Sequence, residues 1–442
     1  MARFRTFAVL IRSSAPGMKL KKLTIKNFKS LGDVTIEPSD LTVIIGPNGS
    51  GKTNLANAFA FLKEVYANGL ETAVQRSGGF ENIFSAGNKD QKNTVSFELS
   101  FGLTFPEFER RLSMFSGLFE LDEKLKKSFS GSEIIVNYYF SIISGEIKRK
   151  FDFAIRDEHL EILSDGIQQL MFTRKAGKMN RKTAGPLKGL LPRFDRAIGR
   201  SIINISPQQL FIASHPLFNM LLRDVIHFTS GWSIYQLLPN TSKMAGVPTP
   251  NPTLSLYGSN LPVLVDFMVR KEPKVWQSIL DTMRRVVPTL TDITTGYLYN
   301  KTVGLFFQEE GFERPWNAEE VSDGTILTLA MLCSVNDPRS TLVFIEEPEN
   351  SIHPWILREL IQNFKGVAGR KDILVTTHSP TLIDMVSPHD IWCISKSNRK
   401  TQLNRLTDIA ENLQADWEAG IYKTSDYLDS GLVPQAIPGG SL

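Results

Sequence analysis

An eight-residue turn near the start of the chain constrains it more than any other feature of the sequence. The apolar, β-branched run Leu41–Ile45 predicts a buried strand, and a helical pattern begins at Thr53. Between them, the sequence GPNGSGKT at residues 46–53 fits the pattern GxxxxGK(S/T) without a mismatch. Strand, turn and helix together predict a phosphate-binding loop. The alternative is a glycine-rich turn that opens a helix and binds no ligand.

Each residue type in this loop has a physical reason. Glycines let the backbone curl so that its N–H groups point at phosphate oxygens, and the following helix adds the positive end of its dipole. We expect Lys52 to reach the β- and γ-phosphates of a nucleotide and the Thr53 hydroxyl to ligate Mg²⁺. The residues expected to bind the nucleotide are Gly46, Asn48, Gly49, Ser50, Gly51, Lys52 and Thr53.

Two later apolar runs end in side chains suited to phosphate chemistry. The run LVFI ends in Glu346 and Glu347. Beside a phosphate-binding loop, the first carboxylate would hold Mg²⁺ and the second would polarise the attacking water, whereas a solvated acidic turn is the alternative. The next run delivers His378 at the carboxyl end of a strand, where ligands bind in open α/β sheets. We expect His378 to sense the γ-phosphate, with a purely structural histidine as the alternative.

The segment VSDGT at residues 321–325 precedes a long predicted helix. Ser322 and the helix N-terminus could bind an anion. Ser322 or Asp323 could instead serve as a helix cap, which the local pattern alone favours. The position of the segment shortly before the acidic strand favours the anion site.

Strand-like segments separated by Gly and Ser turns predict an antiparallel meander after the first strand–helix unit. These segments are residues 93–103, 133–143 and 146–155. A helical pattern covers residues 261–287, and buried-strand runs follow at residues 341–345, 372–376 and 390–395. The sequence therefore predicts an α/β fold with an inserted antiparallel β meander and a helical lobe.

Composition excludes several classes of protein. The two cysteines exclude a disulfide framework and indicate a reducing, cytoplasmic environment. No apolar stretch reaches the roughly 20 residues that span a bilayer, so we expect no membrane partner. The net charge of +4 is too small to indicate a nucleic-acid partner by itself. Residues 1–17 are basic, and we interpret them as an N-terminal extension, with an organelle transit peptide as the alternative.

These motifs, in this order, resemble the ABC-type ATPases, and their soluble RecF/OLD-like branch in particular. Residues 46–53 match Walker A, and residues 342–347 match Walker B with its following glutamate. Residues 322–325 are similar to the signature motif and residues 350–351 to the D-loop. The resemblance to the RecF/OLD-like branch rests on four longer segments, LTIKNFKSL, GKTNL, EEPENSIHP and TTHSPTLIDM.

The resemblance implies an ABC-type P-loop NTPase head that hydrolyses ATP with Mg²⁺ between two protomers of a homodimer or higher homo-oligomer. Ser322 and Gly324 would contact the γ-phosphate bound to Lys52 of a second copy. Glu347 would be the general base, and His378 would steady the γ-phosphate and the attacking water. Mg²⁺ would be held by Thr53 and Glu346.

The resemblance also implies a division of the chain and contains departures from the family pattern. The ATPase core would comprise residues 18–92 and 310–442, and residues 93–309 would form the inserted meander with a helical and basic lobe. Glu346 stands where the family has aspartate, and the signature is SDGT instead of SGG. Gln75 is the nearest match to a Q-loop, and Lys29 occupies a position that is often basic.

Two functional hypotheses follow from the resemblance. The sequence contains neither the long coiled coils of SMC-type proteins nor a Toprim nuclease domain, so it resembles the ATPase module alone. The first hypothesis is an ATPase of DNA repair or antiphage defence that contacts double-stranded DNA and recruits a separate nuclease. The second is a nucleotide-switched scaffold that holds a toxin or nuclease effector without binding DNA directly.

Two groups of basic residues are the candidate DNA surfaces, because such side chains can neutralise phosphates without base specificity. A solvated basic loop is the alternative. The first group is Arg174, Lys175, Lys178, Arg181, Lys182, Lys188, Arg193, Arg196 and Arg200. The second group is Arg270, Lys271, Lys274, Arg284 and Arg285.

Overall fold

The computed structural model describes residues 18–84, 94–104, 133–144, 153–175, 178–183, 206–214, 222–397 and 400–433 of the 442-residue chain. The chain divides into two units. The first comprises Met1–Lys29 with Phe61–Gly231, and the second comprises Ser30–Ala60 with Trp232–Leu442. The predicted extension, residues 1–17, lies outside the described residues.

The secondary structure of the described residues alternates between strands and mostly short helices. The strands are β1 Lys19–Phe28, β2 Leu31–Ile36, β3 Leu41–Ile45, β4 Thr94–Thr104, β5 Glu133–Ser144, β6 Phe153–Ser164, β7 Ile167–Lys175, β8 Lys178–Thr183, β9 Trp232–Tyr235, β10 Leu290–Tyr297, β11 Val303–Glu309, β12 Trp316–Asn317, β13 Leu342–Glu346, β14 Asp372–Thr376, β15 Ile391–Ser397 and β16 Lys400–Arg405. The α-helices are α1 Lys52–Asn68, α2 Leu70–Arg76, α3 Phe211–Ser214, α4 Arg223–Ser230, α5 Pro239–Ser242, α6 Leu261–Lys271, α7 Pro273–Val286, α8 Asp323–Asn336, α9 Pro354–Val367, α10 Pro380–Asp384, α11 Leu406–Ile409, α12 Leu413–Glu418 and α13 Thr424–Asp429.

The first unit is built on an antiparallel sheet with the strand order β8-β7-β6-β5-β4-β1. In β5, Ile134, Val136, Tyr138 and Phe140 are buried and alternate with half-exposed residues, as expected for a sheet with one face in the core. The strands predicted at residues 93–103 and 133–143 correspond to β4 and β5. The strand predicted at residues 146–155 is described only from Phe153 onward, as β6, because residues 145–152 lie outside the described residues.

The second unit contains the strand order β2-β16-β15-β3-β14-β13-β9. Five consecutive strands, β15-β3-β14-β13-β9, pair in parallel with one another, whereas β16 pairs antiparallel with β15. The residues of β3 and β14 are all buried, which is why both appear in the sequence as continuous apolar runs without alternation. The predicted α/β class, with an antiparallel meander inserted between the first strand–helix unit and the later parallel strands, is confirmed.

Helices α6 to α9 share one hydrophobic core with the parallel strands of the second unit. Leu264 of α6, Ile279 of α7 and Leu360 of α9 belong to the same buried cluster as Val43 of β3 and Val343 of β13. Helix α8 is buried along most of its length, which accounts for its apolar residues on every side. No helix within the described ranges is long and apolar enough to cross a membrane.

The helical pattern predicted over residues 261–287 contains a break. Helix α6 ends at Lys271, Glu272 is non-helical, and Pro273 opens helix α7. Proline has no N–H to donate to a preceding turn and disfavours a helical conformation of the residue before it. The proline therefore divides one amphipathic pattern into two helices that both pack on the same core.

Candidate functional site

The glycine-rich loop, the two glutamates and His378 lie in the second unit at the carboxyl ends of three adjacent strands. Strand β14 lies between β3 and β13, and all three are parallel. The glycine-rich loop follows β3, the two glutamates end β13, and His378 follows β14. Parallel alignment brings these three ends to the same edge of the sheet, where ligands bind in open α/β folds.

The backbone of the glycine-rich loop adopts conformations that would be strained for residues with a Cβ atom. The φ angles of Gly46, Gly49 and Gly51 are +153°, +76° and +120°. A Cβ atom on Gly46 would lie 2.0 Å from the carbonyl oxygen of Ile394, and one on Gly51 would lie 2.5 Å from the Thr401 hydroxyl. Glycine is therefore required at Gly46 and Gly51 both by conformation and by close neighbours, as a backbone that curls around phosphates demands.

Lys52 is buried and bonded within the loop and across to β14. Its Nζ donates to the carbonyl oxygen of Gly46 at 2.7 Å and to that of Pro47 at 3.3 Å. It also lies 2.7 Å from Nε2 of His378. An ammonium group only donates, so His378 Nε2 accepts, and the imidazole is neutral with its proton on Nδ1. Burial, and then the Lys52 charge, lower the pKa of His378, which agrees with a neutral ring.

Two oxygen-bearing side chains next to Lys52, those of Thr53 and Glu346, are hydrogen-bonded to each other. Thr53 Oγ1 donates to Glu346 Oε2 at 2.8 Å. Burial is the main cause of the raised pKa of Glu346, and the neighbouring Glu347 adds to it. A cation between these oxygens would relieve both effects, and hydroxyl and carboxylate oxygens are ligands that Mg²⁺ accepts. In the same loop, Ser50 Oγ is buried and has no hydrogen-bond partner among the described residues. The residues present therefore fit a magnesium nucleotide.

Glu347 is held in an unusual backbone conformation at the end of β13. Its φ angle is +47°, and its N–H donates to the carbonyl oxygen of Thr376 at 2.9 Å. Asn350 Nδ2 donates to Glu347 Oε2 at 3.0 Å, and His378 Nε2 lies 3.9 Å from Glu347 Oε1. The carboxylate is thus oriented by an amide on one side and lies beside the imidazole on the other.

The VSDGT segment forms the start of helix α8. Ser322 is the N-cap, and its hydroxyl accepts from the Thr325 N–H at 3.1 Å, so the capping interpretation holds. A Cβ atom on Gly324 would lie 3.0 Å from the carbonyl oxygen of Ser351. Among the hydrogen bonds and ion pairs of the described residues, none joins Ser322 or Gly324 to Lys52. The structure therefore joins the loop, the two glutamates and His378 through hydrogen bonds and short contacts, and the described residues show no such bond from Ser322 or Gly324 to Lys52.

Sequence reasoning missed a hydrogen-bonded group of side chains that contacts the glycine-rich loop. It consists of Thr401, Ser30 and Asn54, and we call it the polar brace. Thr401 Oγ1 donates to the carbonyl oxygen of Ser50 at 2.7 Å and lies 2.9 Å from the Ser30 hydroxyl. Asn54 Nδ2 donates to the same Ser30 hydroxyl at 2.8 Å. No motif marks Thr401, because its position next to Gly51 arises only from the pairing of distant strands. Lys29 and Gln75 belong to the first unit, and the match of Gln75 to a Q-loop stays a prediction.

The first candidate DNA surface requires a correction at Arg174. Its side chain is only 4% exposed and forms an ion pair with the fully buried Glu158, with Nη2 2.6 Å from Oε2. Arg174 is therefore unavailable to phosphates, because its charge is already neutralised within the protein. Lys175, Lys178 and Lys182 are exposed, as expected. The remaining members, together with the side chain of Arg181, lie outside the described residues.

The second candidate surface is exposed but partly neutralised. Arg270, Arg284 and Arg285 form ion pairs with Asp266, Asp281 and Glu359. Lys271 and Lys274 are exposed. Acidic partners thus reduce the positive potential of this surface.

Two family models match the chain. Residues 18–183 match the model described as AAA ATPase domain. Residues 197–384 match the model described as AAA domain, putative AbiEii toxin, Type IV TA system. The first match contains the glycine-rich loop, and the second contains both glutamates and His378.

Short segments of curated relatives are similar in sequence to this chain. A chromosome partition protein Smc from Koribacter versatilis is 39% identical over 94 residues, which are 20% of this chain and 7% of that protein. The structural maintenance of chromosomes protein 1 of Saccharomyces cerevisiae is 36% identical over 75 residues, which are 16% of this chain and 6% of that protein. The matched segments thus span under a tenth of either relative.

Two solved Smc heads overlap most of the chain at low identity. A crystal structure of an Smc head bound to the C-winged helix domain of ScpA has a TM-score of 0.48 and 14% identity, covering 87% of this chain and 97% of that one. An SMC head domain from Thermotoga maritima has a TM-score of 0.39 and 13% identity, covering 88% and 98%. The two family matches, which contain the glycine-rich loop and the two glutamates with His378, show that these parts of the chain are similar to AAA ATPase domains.

Proposed function

We propose that this chain binds and hydrolyses ATP with Mg²⁺, and that two copies close around the nucleotides in the manner of ABC-type heads. One observation carries the proposal. Lys52, bonded to His378, and Thr53, bonded to Glu346, lie at neighbouring strand ends together with Glu347. A phosphate-binding cation, a pair of magnesium ligands and a carboxylate base are the groups that phosphoryl transfer to water requires.

Each residue has a defined part in this proposal. Lys52 exchanges its bonds within the loop for the β- and γ-phosphate oxygens. Thr53 and Glu346 would hold Mg²⁺, which neutralises phosphate charge when bound. Glu347 accepts a proton from the attacking water, and its bond to Asn350 keeps the carboxylate oriented. Once Lys52 turns to the phosphates, a neutral His378 with its proton on Nε2 can donate to the γ-phosphate or to the water without adding a positive charge.

A second copy would complete the site. Ser322 caps helix α8, and the N–H groups of its first turn form an anion-binding helix end. In the proposed dimer, Ser322 and Gly324 of one copy contact the γ-phosphate bound to the other. Closure would then depend on nucleotide, and hydrolysis would release it.

Turnover and binding measurements test the enzyme proposal. The wild-type chain should release phosphate from ATP in the presence of Mg²⁺ and stop when EDTA is added. Lys52→Ala should lose ATP binding, whereas Lys274→Ala, an exposed lysine on α7, should not. Glu347→Gln should bind ATP but turn over at least about 100-fold more slowly, since general bases contribute about 10²–10⁴-fold. Full turnover by Glu347→Gln would exclude this residue as the base.

Light scattering tests the dimer. Glu347→Gln with ATP should accumulate dimers, because the closed state forms and is not hydrolysed. Ser322→Arg should abolish hydrolysis and dimer formation while leaving ATP binding by the single chain intact. Wild-type activity in Ser322→Arg would contradict the sandwich arrangement.

Two wider roles remain to be distinguished. The printed name of the Smc relatives, chromosome partition protein, and the exposed Lys175, Lys178 and Lys182 support an ATPase of DNA repair or antiphage defence that contacts double-stranded DNA. The description of the second family model, which names a putative toxin of a type IV toxin–antitoxin system, supports the nucleotide-switched scaffold. Double-stranded DNA at low salt should bind the chain and change its ATP turnover in the first case and do neither in the second.

A further inference from the structure

The loop after β13 and the loop after β14 are tied together by a residue without a proposed role. Glu349 Oε1 accepts from the Thr377 hydroxyl at 2.8 Å and from the His378 N–H at 2.6 Å. The Thr377 hydroxyl in turn accepts from the Ser379 N–H at 2.9 Å. One carboxylate oxygen therefore fixes the backbone on which the His378 side chain is carried.

The segment that presents Glu349 is conformationally restrained. Glu347 and Ser351, on either side of it, have φ angles of +47° and +62°, which are unfavourable for residues with a Cβ. Such strain persists only where the surrounding structure holds the segment firmly. The Ile352 N–H also donates to the carbonyl oxygen of Glu349 at 3.0 Å. The backbone of Glu349 is therefore held in one position, from which its side chain contacts the loop after β14.

We propose that Glu349 is a positioning residue, which sets the reach of His378 towards the reacting phosphate through its bonds to the His378 N–H and the Thr377 hydroxyl. This inference rests on the proposed ATPase function. Glu349 itself does not touch the reacting atoms. Its effect is on the placement of the imidazole relative to Lys52 and Glu347, with which His378 already forms its contacts.

The expected effect falls on turnover and spares nucleotide affinity. The loop, Lys52 and Thr53 bind the phosphates, and none of them is bonded to Glu349 among the described residues. Misplacement of a catalytic group by about 1 Å costs on the order of 10²-fold in rate. Loss of the tether should therefore lower kcat by about 10- to 100-fold and leave the dissociation constant of ATP within about twofold.

Two substitutions of Glu349 distinguish the effect of its two hydrogen bonds from the effect of its negative charge. Glu349→Ala removes both hydrogen bonds. Glu349→Gln removes the charge but keeps an amide oxygen that can accept from both donors. The kcat of Glu349→Gln should therefore lie within about threefold of the wild-type value. Glu359→Ala and Glu359→Gln are matched controls, because Glu359 lies on α9 and pairs with Arg285 away from the site.

The proposal is overturned if Glu349→Ala has wild-type kcat, if it loses ATP affinity as strongly as kcat, or if Glu349→Gln is as impaired as Glu349→Ala. Crystal structures of the two unliganded variants separate this outcome from failure of the ATPase proposal. The backbone of residues 377–379 should shift in Glu349→Ala and stay in place in Glu349→Gln, whether or not the protein hydrolyses ATP. An unshifted backbone in Glu349→Ala also overturns the proposal.

Discussion

Replacing Arg174 by methionine should release residues 206–214 from the antiparallel sheet of the first unit. Arg174 Nη2 donates to the carbonyl oxygen of Gln209 at 2.7 Å as well as to Glu158. Glu158 Oε1 accepts from the Phe211 N–H at 2.8 Å and from the Tyr138 hydroxyl. The ion pair therefore holds both strands β6 and β7 to the start of helix α3. Methionine preserves much of the side-chain volume and removes the cation.

The magnitude follows from the burial of the pair. The two side chains are 4% and 0% exposed, so the substitution leaves a carboxylate enclosed without its cation. Removing one partner of a buried ion pair costs about 3–5 kcal/mol. At about 1.4 kcal/mol per factor of ten, the opening equilibrium of this segment should rise at least about 100-fold.

The penalty should depend on pH. Burial already raises the pKa of Glu158 to about 7 against the opposing charge of Arg174, and loss of that charge raises the pKa further. A carboxyl whose pKa is higher in the folded state binds its proton more tightly there. Its protonation therefore favours folding at low pH, and this contribution is lost as the pH rises through the folded-state pKa. Arg174→Met should be more destabilised at pH 8 than at pH 5.5.

Hydrogen exchange read by mass spectrometry measures the effect. Amides of residues 206–214, corrected for intrinsic exchange rates, should lose protection in Arg174→Met. Arg156→Met is the matched control, since Arg156 lies on β6 with 45% of its side chain exposed and forms a surface ion pair with Asp157. Adding Glu158→Gln removes the unpaired charge and keeps an acceptor, so the double variant should regain most of the protection. Unchanged protection in Arg174→Met, or no recovery in the double variant, would refute this reasoning.

Three further outcomes are expected around the proposed nucleotide site. Thr401→Val removes the bond to the Ser50 carbonyl oxygen, so the dissociation constant of ATP measured by calorimetry should rise about 5- to 30-fold, and an unchanged value would exclude the brace. Gly46→Ala adds a methyl group 2.0 Å from a backbone carbonyl oxygen, so ATP binding should be lost while circular dichroism still reports a folded chain. Asn350→Ala frees the Glu347 carboxylate, so kcat should fall about tenfold with little change in KM; an equal change in both would contradict an orienting role.

The parts predicted from sequence are those with local signals. The strands Leu41–Ile45, Leu342–Glu346 and Asp372–Thr376 are short apolar runs, and burial on both faces is what such runs require. The glycine-rich loop is recognisable because its backbone admits few residue types. Proximity of the three strand ends then follows from their parallel alignment.

The parts that were missed depend on pairing between distant or adjacent strands. Arg174 and Glu158 face each other because β6 and β7 pair in that register, and the sequence shows only a basic residue in a basic stretch. Thr401 reaches the loop through strand β16, far along the chain, and carries no motif. Glu349 lies within the segment EEPENSIHP, which the sequence analysis identified. Its hydrogen bonds to the loop after β14 depend on the three-dimensional arrangement of the two loops, which the sequence does not show.

The pairing of β3 with β14 also has a consequence for synthesis and folding of the chain. Ile44 lies opposite Thr376, so the strand that carries the glycine-rich loop acquires this neighbour only after most of the chain has left the ribosome. Contacts between residues so distant in sequence slow folding, because a long loop must close before the pairing stabilises it. A nascent chain would therefore expose an apolar strand edge until β14 has been synthesised, when the glycine-rich loop and the sheet core can form together.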